Sequence, residues 1–393
     1  MRWRSVKLGD ISSGIQTGPF GSQLHQSDYT KDGTPVVMPK DLIGGKISEQ
    51  SIARVGAEHV QRLQRHVIQN GDILYSRRGD VGRCAFATER ETGWLCGTGC
   101  LRVTVNPRVA DKKFVFYQLQ QSSTIGWVEK HAVGATMLNL NTTILSNIPV
   151  ALPPIETQHR IADILSAYDD LIENNQKQIK LLEEAAQRLY KEWFVDLRFP
   201  GYEHTKIVDG VPEGWGKERL VDIADVQYGY AFDGSLFNSK KSGMPIIRIR
   251  NIPESQTEDY TTETADSQYL VYNGDIVVGM DGEFHINTWA GDTAYLVQRT
   301  CRIKALNTDL NGFLLWAIYA PIKYFEKTIV GATVAHLGKK HIDTIEILVP
   351  TEKFYLPFKS LFEKRLLLMN QNRALAEARD RLLPKLMSGE VEV

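Results

Sequence analysis

The chain has 393 residues with a formal net charge of −1, and 42% of its residues are hydrophobic while 24% are charged. This length accommodates two domains of about 150 residues and additional long segments. The composition excludes a strongly basic nucleic-acid-binding protein, a scaffold built on disulfides, and a membrane protein, because four cysteines are too few and no apolar run could span a bilayer. The first residues lack the apolar stretch of a signal peptide, so we expect a cytoplasmic protein with no membrane partner.

The neutral total hides an asymmetry between two regions of the chain. Residues 1–150 contain 18 Lys and Arg against 12 Asp and Glu, whereas residues 201–349 contain 14 against 20. A nearly neutral chain that binds DNA needs local basic patches, or partners that supply positive charge.

In the first 152 residues, basic side chains follow predicted strands. Residues 36–38 predict a buried strand that is followed by Lys40, and residues 72–75 predict another that is followed by Arg77 and Arg78. Arginines at a strand exit can reach a phosphate or the edge of a guanine. The three residues are therefore candidate DNA contacts, and an ordinary solvated turn is the alternative.

A loop of small residues and amides follows at residues 134–141. Asn139 and Asn141 could pair with adenine, because an amide side chain can form two hydrogen bonds with that base. Asparagine is also an ordinary turn residue, so a purely structural role is the alternative here.

Residues 153–199 predict one long helix, because no Gly or Pro occurs between Pro154 and Pro200. Its apolar residues recur at alternating steps of four and three, and Asn175 fills the gap in the series. This heptad pattern indicates a helix on the order of 60 Å long that packs against another helix. The apolar positions are Ile161, Leu165, Tyr168, Ile172, Ile179, Leu182, Ala186, Leu189 and Trp193.

Residues 200–349 repeat the plan of the first domain with different side chains at the presumed contact positions. One group of polar residues follows an early strand, a second lies in residues 279–285, where the charge has changed sign, and a third lies in the loop at residues 331–340. The candidate DNA contacts of this domain are Arg248, Arg250, Asn251, His285, His336, Lys339 and Lys340.

Residues 350–393 predict a second long helix that would be the partner of the first. A seven-residue spacing relates Leu361, Leu368, Leu375 and Leu382. Pro357 is expected to delay the start of this helix. Asn372 occupies the place that Asn175 occupies in the first helix. Two buried asparagines could fix the register of the helix pair, and the alternative is that both face solvent.

The chain contains an internal duplication. An offset of 197 residues aligns Gly134-Ala135-Thr136 with Gly331-Ala332-Thr333, Pro153 with Pro350, and Asn175 with Asn372. The sequence therefore predicts an α+β protein with a pseudo-twofold internal repeat, in which two globular domains, which the family resemblance described below implies are target-recognition domains, are joined by two long helices that form an antiparallel coiled coil. The predicted boundaries are 1–152 and 200–349 for the domains, and 153–199 and 350–393 for the helical segments.

No motif for catalysis or metal binding is recognisable. A Walker-type phosphate loop, a His-Glu-x-x-His motif and the Asn-Pro-Pro-aromatic tetrad of amino-methyltransferases are all absent from the sequence. Cys96 and Cys100 lie four residues apart, but no second ligand pair follows, so reduced core cysteines are expected rather than a zinc site. We predict neither catalytic residues nor metal ligands.

Several motifs together resemble one known family. They are residues 3–8, Gly71-Asp72-Ile73-Leu74, Gly134-Ala135-Thr136, residues 153–158 with Ile161 and Leu165, and residues 381–390. In this duplicated order they are similar to the specificity subunit of type I restriction–modification systems, and the similarity covers essentially the whole chain.

The resemblance implies a non-catalytic subunit that binds a bipartite, asymmetric target in double-stranded DNA, as part of a defence against foreign DNA. The implied partners are two adenine methyltransferase subunits and the endonuclease/translocase subunits. S-adenosylmethionine would bind to the methyltransferase, which flips the target base out of the duplex, and no cofactor would bind to this chain.

Two other classes of protein stay open. One is a self-contained nuclease or methyltransferase fused to its own DNA reader. The other is a coiled-coil scaffold, or a specificity module of another DNA-modification or defence system. Methyl transfer by the chain alone would indicate the first class, and equal affinity for all duplexes would indicate a scaffold.

Overall fold

The computed structural model describes residues 3–134, 136–329 and 335–393. The chain forms two compact units: unit 1 contains Met1–Asp170 and Ala376–Val393, and unit 2 contains Leu171–Leu375. Each unit combines one α+β domain with parts of both long helices, so the units do not follow the consecutive segments predicted from the sequence. The fold class is α+β, as predicted.

Two four-stranded sheets and two strand pairs form the β-structure of unit 1. The first sheet has the order Ser12–Thr17, Cys100–Val105, Ile73–Ser76, Cys84–Phe86, and the second has the order Leu95–Cys96, Thr34–Val37, Ala53–Val55, Tyr29–Thr30. The strand pairs are Arg4–Lys7 with Pro149–Leu152, and Leu42–Ile43 with Lys46–Ile47. The shorter α-helices are Ala57–Arg62, Lys112–Leu119, Ser122–His131 and Thr142–Ser146.

Unit 2 repeats this arrangement. Its first sheet has the order Ala224–Tyr228, Thr300–Ala305, Ile276–Gly279, Ile286–Thr288, and its second has the order Phe237–Asn238, Tyr260–Thr261, Met244–Ile247, Ala294–Leu296, Leu270–Val271. The strand pairs are Gly216–Arg219 with Glu346–Val349, and Ile207–Val208 with Val211–Pro212. The shorter α-helices are Leu220–Ile223, Asn311–Ala317, Tyr319–Thr328 and Lys339–Ile342.

The strand orders of the two first sheets correspond strand by strand, which confirms the internal duplication. The correspondence extends to side chains that support the frame. In unit 1, Arg102 donates to the carbonyl of Val67, and in unit 2 Arg302 donates to the carbonyl of Leu270 at 2.6 Å. Both arginines lie on the central strand of their sheet, so the repeat preserves its internal supports as well as its strands.

Two long helices run through the chain. The central helix is Ile155–Tyr190 and continues into a π-helical turn at Lys191–Val195. The C-terminal helix is Glu352–Ser388. Among the positions predicted for the apolar seam of the central helix, none is exposed, because the heptad spacing keeps one face of the helix against its neighbours.

The two long helices pair antiparallel within each unit, as predicted. In unit 1, Asp169 of the central helix forms an ion pair with Arg379 at 2.5 Å. In unit 2, Glu183 forms an ion pair with Arg365 at 2.7 Å. Further along the central helix, the ring of Tyr190 packs against Phe358, which lies nearer the start of the C-terminal helix. Residues further along the central helix thus contact earlier residues of the C-terminal helix, which is the order of contacts in an antiparallel pair.

The expectation that Pro357 delays the C-terminal helix is wrong. The helix begins at Glu352, and Pro357 lies inside its second turn. A proline there removes one backbone hydrogen bond. Phe354 and Phe358 lie on either side of it, are 5% and 1% exposed, and pack edge-on against the ring of Trp193. Burial of these two rings offsets the missing hydrogen bond.

The helix-pair asparagines both lie in unit 2. Asn175 is buried, and Asn372 is half-buried with a buried Oδ1 that accepts no hydrogen bond from any described residue. Neither asparagine is exposed to solvent as the alternative expected, but a role in fixing the register of the helix pair stays a prediction. None of the helices that the structure describes combines the length and apolar character needed to cross a membrane.

Candidate nucleic-acid interface

Loops that follow several strands of unit 1 meet at one edge of the domain. The Gly97 amide donates to the carbonyl of Val37 at 2.9 Å, and the Arg77 amide donates to the carbonyl of Gly99 at 2.8 Å. The loop after Thr17 approaches so closely that a Cβ on Gly18 would lie 1.8 Å from the Gly97 carbonyl oxygen. Glycine is required at this contact, because any side chain would displace the backbone.

The strand-exit arginines and the amide loop are brought together at this edge. Arg78 and Asn139 form an antiparallel β-bridge. The Leu140 amide donates to the carbonyl of Arg77 at 2.8 Å, and the Gly79 amide donates to the carbonyl of Leu138 at 3.0 Å. Three predicted contact residues, Arg77, Arg78 and Asn139, thus share one surface although the loop lies about sixty residues further along the chain.

The side chains of Arg77 and Asn139 contain polar atoms without a partner among the described residues of the domain, and that of Arg78 is exposed. The guanidinium of Arg77 lies 5.9 Å from the ring centre of Phe20, which is 52% exposed. The Nε of Arg77 and the Oδ1 of Asn139 are buried without a hydrogen-bond partner in the described part of the chain. Arg78 is exposed. A guanidinium beside an aromatic ring suits contact with a base or a phosphate.

The other two candidates of unit 1 differ in role. Lys40 is exposed in the turn Pro39–Asp41, and its Nζ donates to the carbonyl of Ser51 at 2.9 Å. Pro39 packs against Gly99, which places this turn at the same edge. Asn141 instead caps the helix Thr142–Ser146, since its Oδ1 accepts from the Ile144 amide at 2.8 Å. The turn-residue alternative therefore describes Asn141 better.

Unit 2 repeats the same backbone frame. Asp281 and His336 form the antiparallel bridge, and the Gly282 amide donates to the carbonyl of Ala335 at 3.1 Å. The Leu337 amide donates to the carbonyl of Met280 at 2.8 Å. Met280 and Asp281 thus stand where Arg77 and Arg78 stand in unit 1, and His336 stands where Asn139 does. The change of charge predicted from the sequence occurs at these positions, because Asp281 replaces Arg78.

The side chains at this frame form a charged network. Nδ1 of His336 lies 2.6 Å from Oδ1 of Asp281, and Nη1 of Arg299 lies 3.1 and 3.2 Å from the two ring nitrogens of His336. Nε of Arg299 lies 3.4 Å from Oδ2 of Asp281. Sequence reasoning missed Arg299. Its signal was its position in a turn that corresponds to residues 97–100 of the first repeat, where Gly99 stands.

The candidates that follow the strand Met244–Ile247 of unit 2 differ in whether their side chains are free to contact DNA. Arg248 lies over the ring of Phe237, with 5.8 Å between the guanidinium carbon and the ring centre. Arg250 is held by two contacts with Asp259 at 2.5 and 3.2 Å. Asn251 caps its turn, because its Oδ1 accepts from the Arg248 amide at 2.8 Å. Of the two arginines, Arg248 is the one without an ion pair among the described residues.

The remaining candidates flank the later loop. Nδ1 of His285 lies 3.6 Å from the carboxylate of Glu283. Lys339 and Lys340 are exposed in the first turn of Lys339–Ile342. The predicted match between residues 134–136 and 331–333 falls partly outside the described residues.

The titratable groups in the cores do not form a reactive centre. Burial raises the pKa of Cys84, Cys96 and Cys301 to about 12 and raises the pKa of Cys100 well above its usual value, so these thiols are protonated at neutral pH and are poor nucleophiles. In the described ranges, no group of three or more His, Cys, Asp or Glu residues is placed to hold a metal ion. The loop edges carry the groups that could contact a ligand.

Comparison with known proteins identifies the family. The family model described as "Type I restriction modification DNA specificity domain" matches residues 2–184 and 212–353, once in each half of the chain. The chain belongs to the family of type I restriction–modification specificity subunits. As a specificity subunit, it serves in the recognition of DNA targets.

Individual specificity subunits are similar over nearly the whole length. The MjaIX specificity subunit of Methanocaldococcus jannaschii is 25% identical, with 100% of this chain and 94% of that protein covered. The HindI specificity subunit of Haemophilus influenzae is 24% identical, with 99% of each protein covered. A crystal structure of the type I S subunit from Mycoplasma genitalium covers 98% of this chain and 96% of its own, with a TM-score of 0.59 and 16% identity. That structural likeness shows that the fold is shared.

Proposed function

We propose that this specificity subunit reads a bipartite DNA target with two unlike half-sites, and that each unit reads one of them. The observation that carries the proposal is the repeated backbone frame with different side chains at equivalent positions. One frame presents Arg77, Arg78 and Asn139, whereas the other presents Asp281 and His336 and has the buried Met280 in place of Arg77. Side chains of different charge and hydrogen-bonding capacity select different bases, so the half-sites differ.

The chain also serves as the platform of a larger complex. It holds two adenine methyltransferase subunits, consistent with two copies of one structural repeat, and endonuclease/translocase subunits complete the complex. S-adenosylmethionine binds to the methyltransferases, which act on a base that is flipped out of the duplex. The chain itself contributes recognition without catalysis.

Selection from random double-stranded DNA tests the target. The complex of this chain with its methyltransferase subunits is incubated with a random library, and bound or methylated molecules are sequenced. We expect two short specific blocks of different sequence, separated by a gap without sequence preference. One uninterrupted block, or a perfectly palindromic site, would contradict the proposal. Equal recovery of all duplexes at fixed salt would support a scaffold that does not read bases.

Methyl transfer separates recognition from catalysis. The purified chain alone, incubated with DNA that contains the selected target and with labelled S-adenosylmethionine, is expected to transfer no label. The same chain mixed with the methyltransferase subunits is expected to label the target. Label transferred by the chain alone would place the chemistry on this subunit and overturn the proposed division of labour.

A further inference from the structure

A tight turn in unit 2 carries an arginine in a backbone conformation that suits glycine. The Thr300 amide donates to the carbonyl of Val297 at 3.2 Å, which closes a four-residue turn, and Arg299 is the third residue with a φ of 72°. A side chain is strained in this conformation, which turns normally give to glycine. The equivalent turn of unit 1 is closed by the Cys100 amide on the Gly97 carbonyl, but its third residue, Gly99, has no positive φ, so the left-handed conformation is particular to the turn of unit 2.

The strained turn is hydrogen-bonded to the recognition frame, which is the backbone of residues 280–282 and 335–337. The Met280 amide donates to the carbonyl of Arg299 at 2.9 Å, just as the Arg77 amide donates to the carbonyl of Gly99 in unit 1. Arg299 therefore stands at the edge where the strand exit and the His336 loop meet. Strain of this kind persists where the surrounding structure holds the residue in place, and strained residues cluster at ligand-contacting sites.

Neighbouring side chains orient the guanidinium of Arg299. With a proton on Nδ1, His336 donates to Oδ1 of Asp281, and its Nε2 accepts from Nη1 of Arg299 at 3.2 Å. The carboxylate of Asp281 also lies beside Nε of Arg299. The second terminal nitrogen, Nη2, has no hydrogen-bond partner among the described residues, and the Arg299 side chain is 48% exposed. The group is held at one side and open at the other.

We propose that Arg299 determines the specificity of unit 2 by donating hydrogen bonds to the acceptor edge of a guanine, and that Asp281 and His336 position it. Guanine presents two acceptors, N7 and O6, in the major groove, and the planar guanidinium matches them better than any other side chain. The inference rests on the proposed function, because it assigns one base pair of the half-site read by unit 2.

Three variants in the complex with the methyltransferase subunits test the inference by selection from random DNA. R299G removes the side chain and relieves the backbone strain, so it should raise the midpoint of thermal unfolding while the preference for one guanine falls about 10- to 100-fold. R299K keeps the positive charge and should keep most of the affinity but lose most of that preference. D281N should lower the preference at the same base pair by a smaller factor, because Arg299 loses its orienting charge.

A matched control separates strain from recognition. Lys241 also has a positive φ, of 58°, and is also exposed in unit 2, but it lies before the strand Met244–Ile247, whereas the recognition edge lies after it. K241G should raise the unfolding midpoint in the same way and leave every base preference unchanged. A gain of stability with a loss of one base preference is the signature expected of R299G and not of K241G.

The outcomes distinguish this inference from the proposed function. If the wild-type complex selects a bipartite site and R299G, R299K and D281N select it with unchanged preferences, the assignment of Arg299 is wrong and the proposed function stands. If R299G weakens binding to all sequences alike, Arg299 contacts a phosphate, which also overturns the assignment. If the wild type selects no two-part site, the proposed function fails and the assignment fails with it.

Discussion

The recognition edges of the two units share a backbone and differ in how their side chains are held. In unit 1, Arg77 lies over an exposed ring and Arg78 points into solvent, whereas in unit 2 Asp281, His336 and Arg299 hold one another. The frame is built from main-chain hydrogen bonds, which do not depend on the side chains at the equivalent positions 78 and 281 or 139 and 336. The comparison teaches that such a frame can change its exposed side chains while the fold stays the same.

The units also differ in how the domain is fixed to the long helices. In unit 1, the hydroxyl of Tyr117 donates to Asp169, which also pairs with Arg379. In unit 2, Arg365 donates both to Glu183 and to Asn287 of the domain, at 2.7 Å each. The Arg365 side chain is 9% exposed, whereas the Arg379 side chain is 28% exposed. The charge that is harder to replace lies in unit 2.

The largest expected effect is the loss of Arg365. R365A leaves the half-buried carboxylate of Glu183 without this donor, removes one of two donors to Oδ1 of Asn287 and empties a buried position, so the free energy of unfolding of unit 2 should fall by roughly 2–3 kcal/mol. Hydrogen exchange of unit 2 peptides measures the change. The control is R188A in the same unit, because Arg188 is 84% exposed and 3.8 Å from its partner Glu184, and such pairs contribute less than about 1 kcal/mol. Equal effects of the two variants would contradict the burial argument.

The arginines of unit 1 should act on one half-site alone. R77A or R78A should reduce binding by roughly 1–3 kcal/mol and relax the unit 1 half-site if the side chain reads a base, or weaken binding to all sequences alike if it contacts a phosphate. Selection from random DNA with each variant distinguishes these results. R83A is the control, since Arg83 lies in the same loop but is tied to Asp80 at 2.8 and 3.0 Å. Wild-type binding by both variants would remove this loop from the interface.

A smaller, sequence-independent effect is expected from the exposed lysines of unit 2. The double variant K339A/K340A should lower affinity for every duplex and reduce the slope of log K against log salt by about 1–2, because each lost phosphate contact removes one released counterion. Lys240 and Lys241 are a matched pair of adjacent exposed lysines, and K240A/K241A should leave the slope unchanged. A change in base preference with K339A/K340A would speak against a phosphate role.

The smallest expected effect is a pH response confined to unit 1. Burial lowers the pKa of His66, and the neighbouring Arg65 guanidinium lowers it further. The unfolded chain then binds a proton that the folded domain does not, so unit 1 loses stability as the pH falls below about 6.5. Hydrogen exchange at pH 7.5 and 6.0 should show this in the wild type and less in H66Q. Tyr269 ends the equivalent turn of unit 2, so peptides there should not respond; an equal response would exclude His66 as the cause.

The long-range pattern of the chain was predictable and much of its local chemistry was not. The central helix was evident because a heptad pattern repeated over dozens of residues outweighs local noise. The start of the C-terminal helix was not, since the burial of Phe354 and Phe358 overrides the local effect of Pro357. Such tertiary packing cannot be inferred from the local sequence around Pro357.

The candidate site was likewise predictable from the sequence only in part. The residue types at Arg77, Arg78 and Asn139 were apparent from the sequence, but the β-bridge that joins them depends on a contact between distant segments. An asparagine that caps a turn, such as Asn141, has the same sequence signature as one that faces a ligand. Arg299 is a single arginine in a turn, and its strain becomes visible only when φ is known.

Unit 1 is built from two separate stretches of the chain, and this affects how the chain folds during synthesis. Its core contains Leu386 and Met387 from the end of the C-terminal helix together with Ile161 and Leu165, and Gly389 lies against Trp3. At about 5–20 residues per second, the ribosome needs roughly 10–40 s to add the intervening stretch. Unit 2, which is continuous in the chain, can fold during that interval, whereas unit 1 keeps an open apolar surface until the last helix emerges. Release of a prematurely terminated chain would therefore expose that surface to chaperones and proteases.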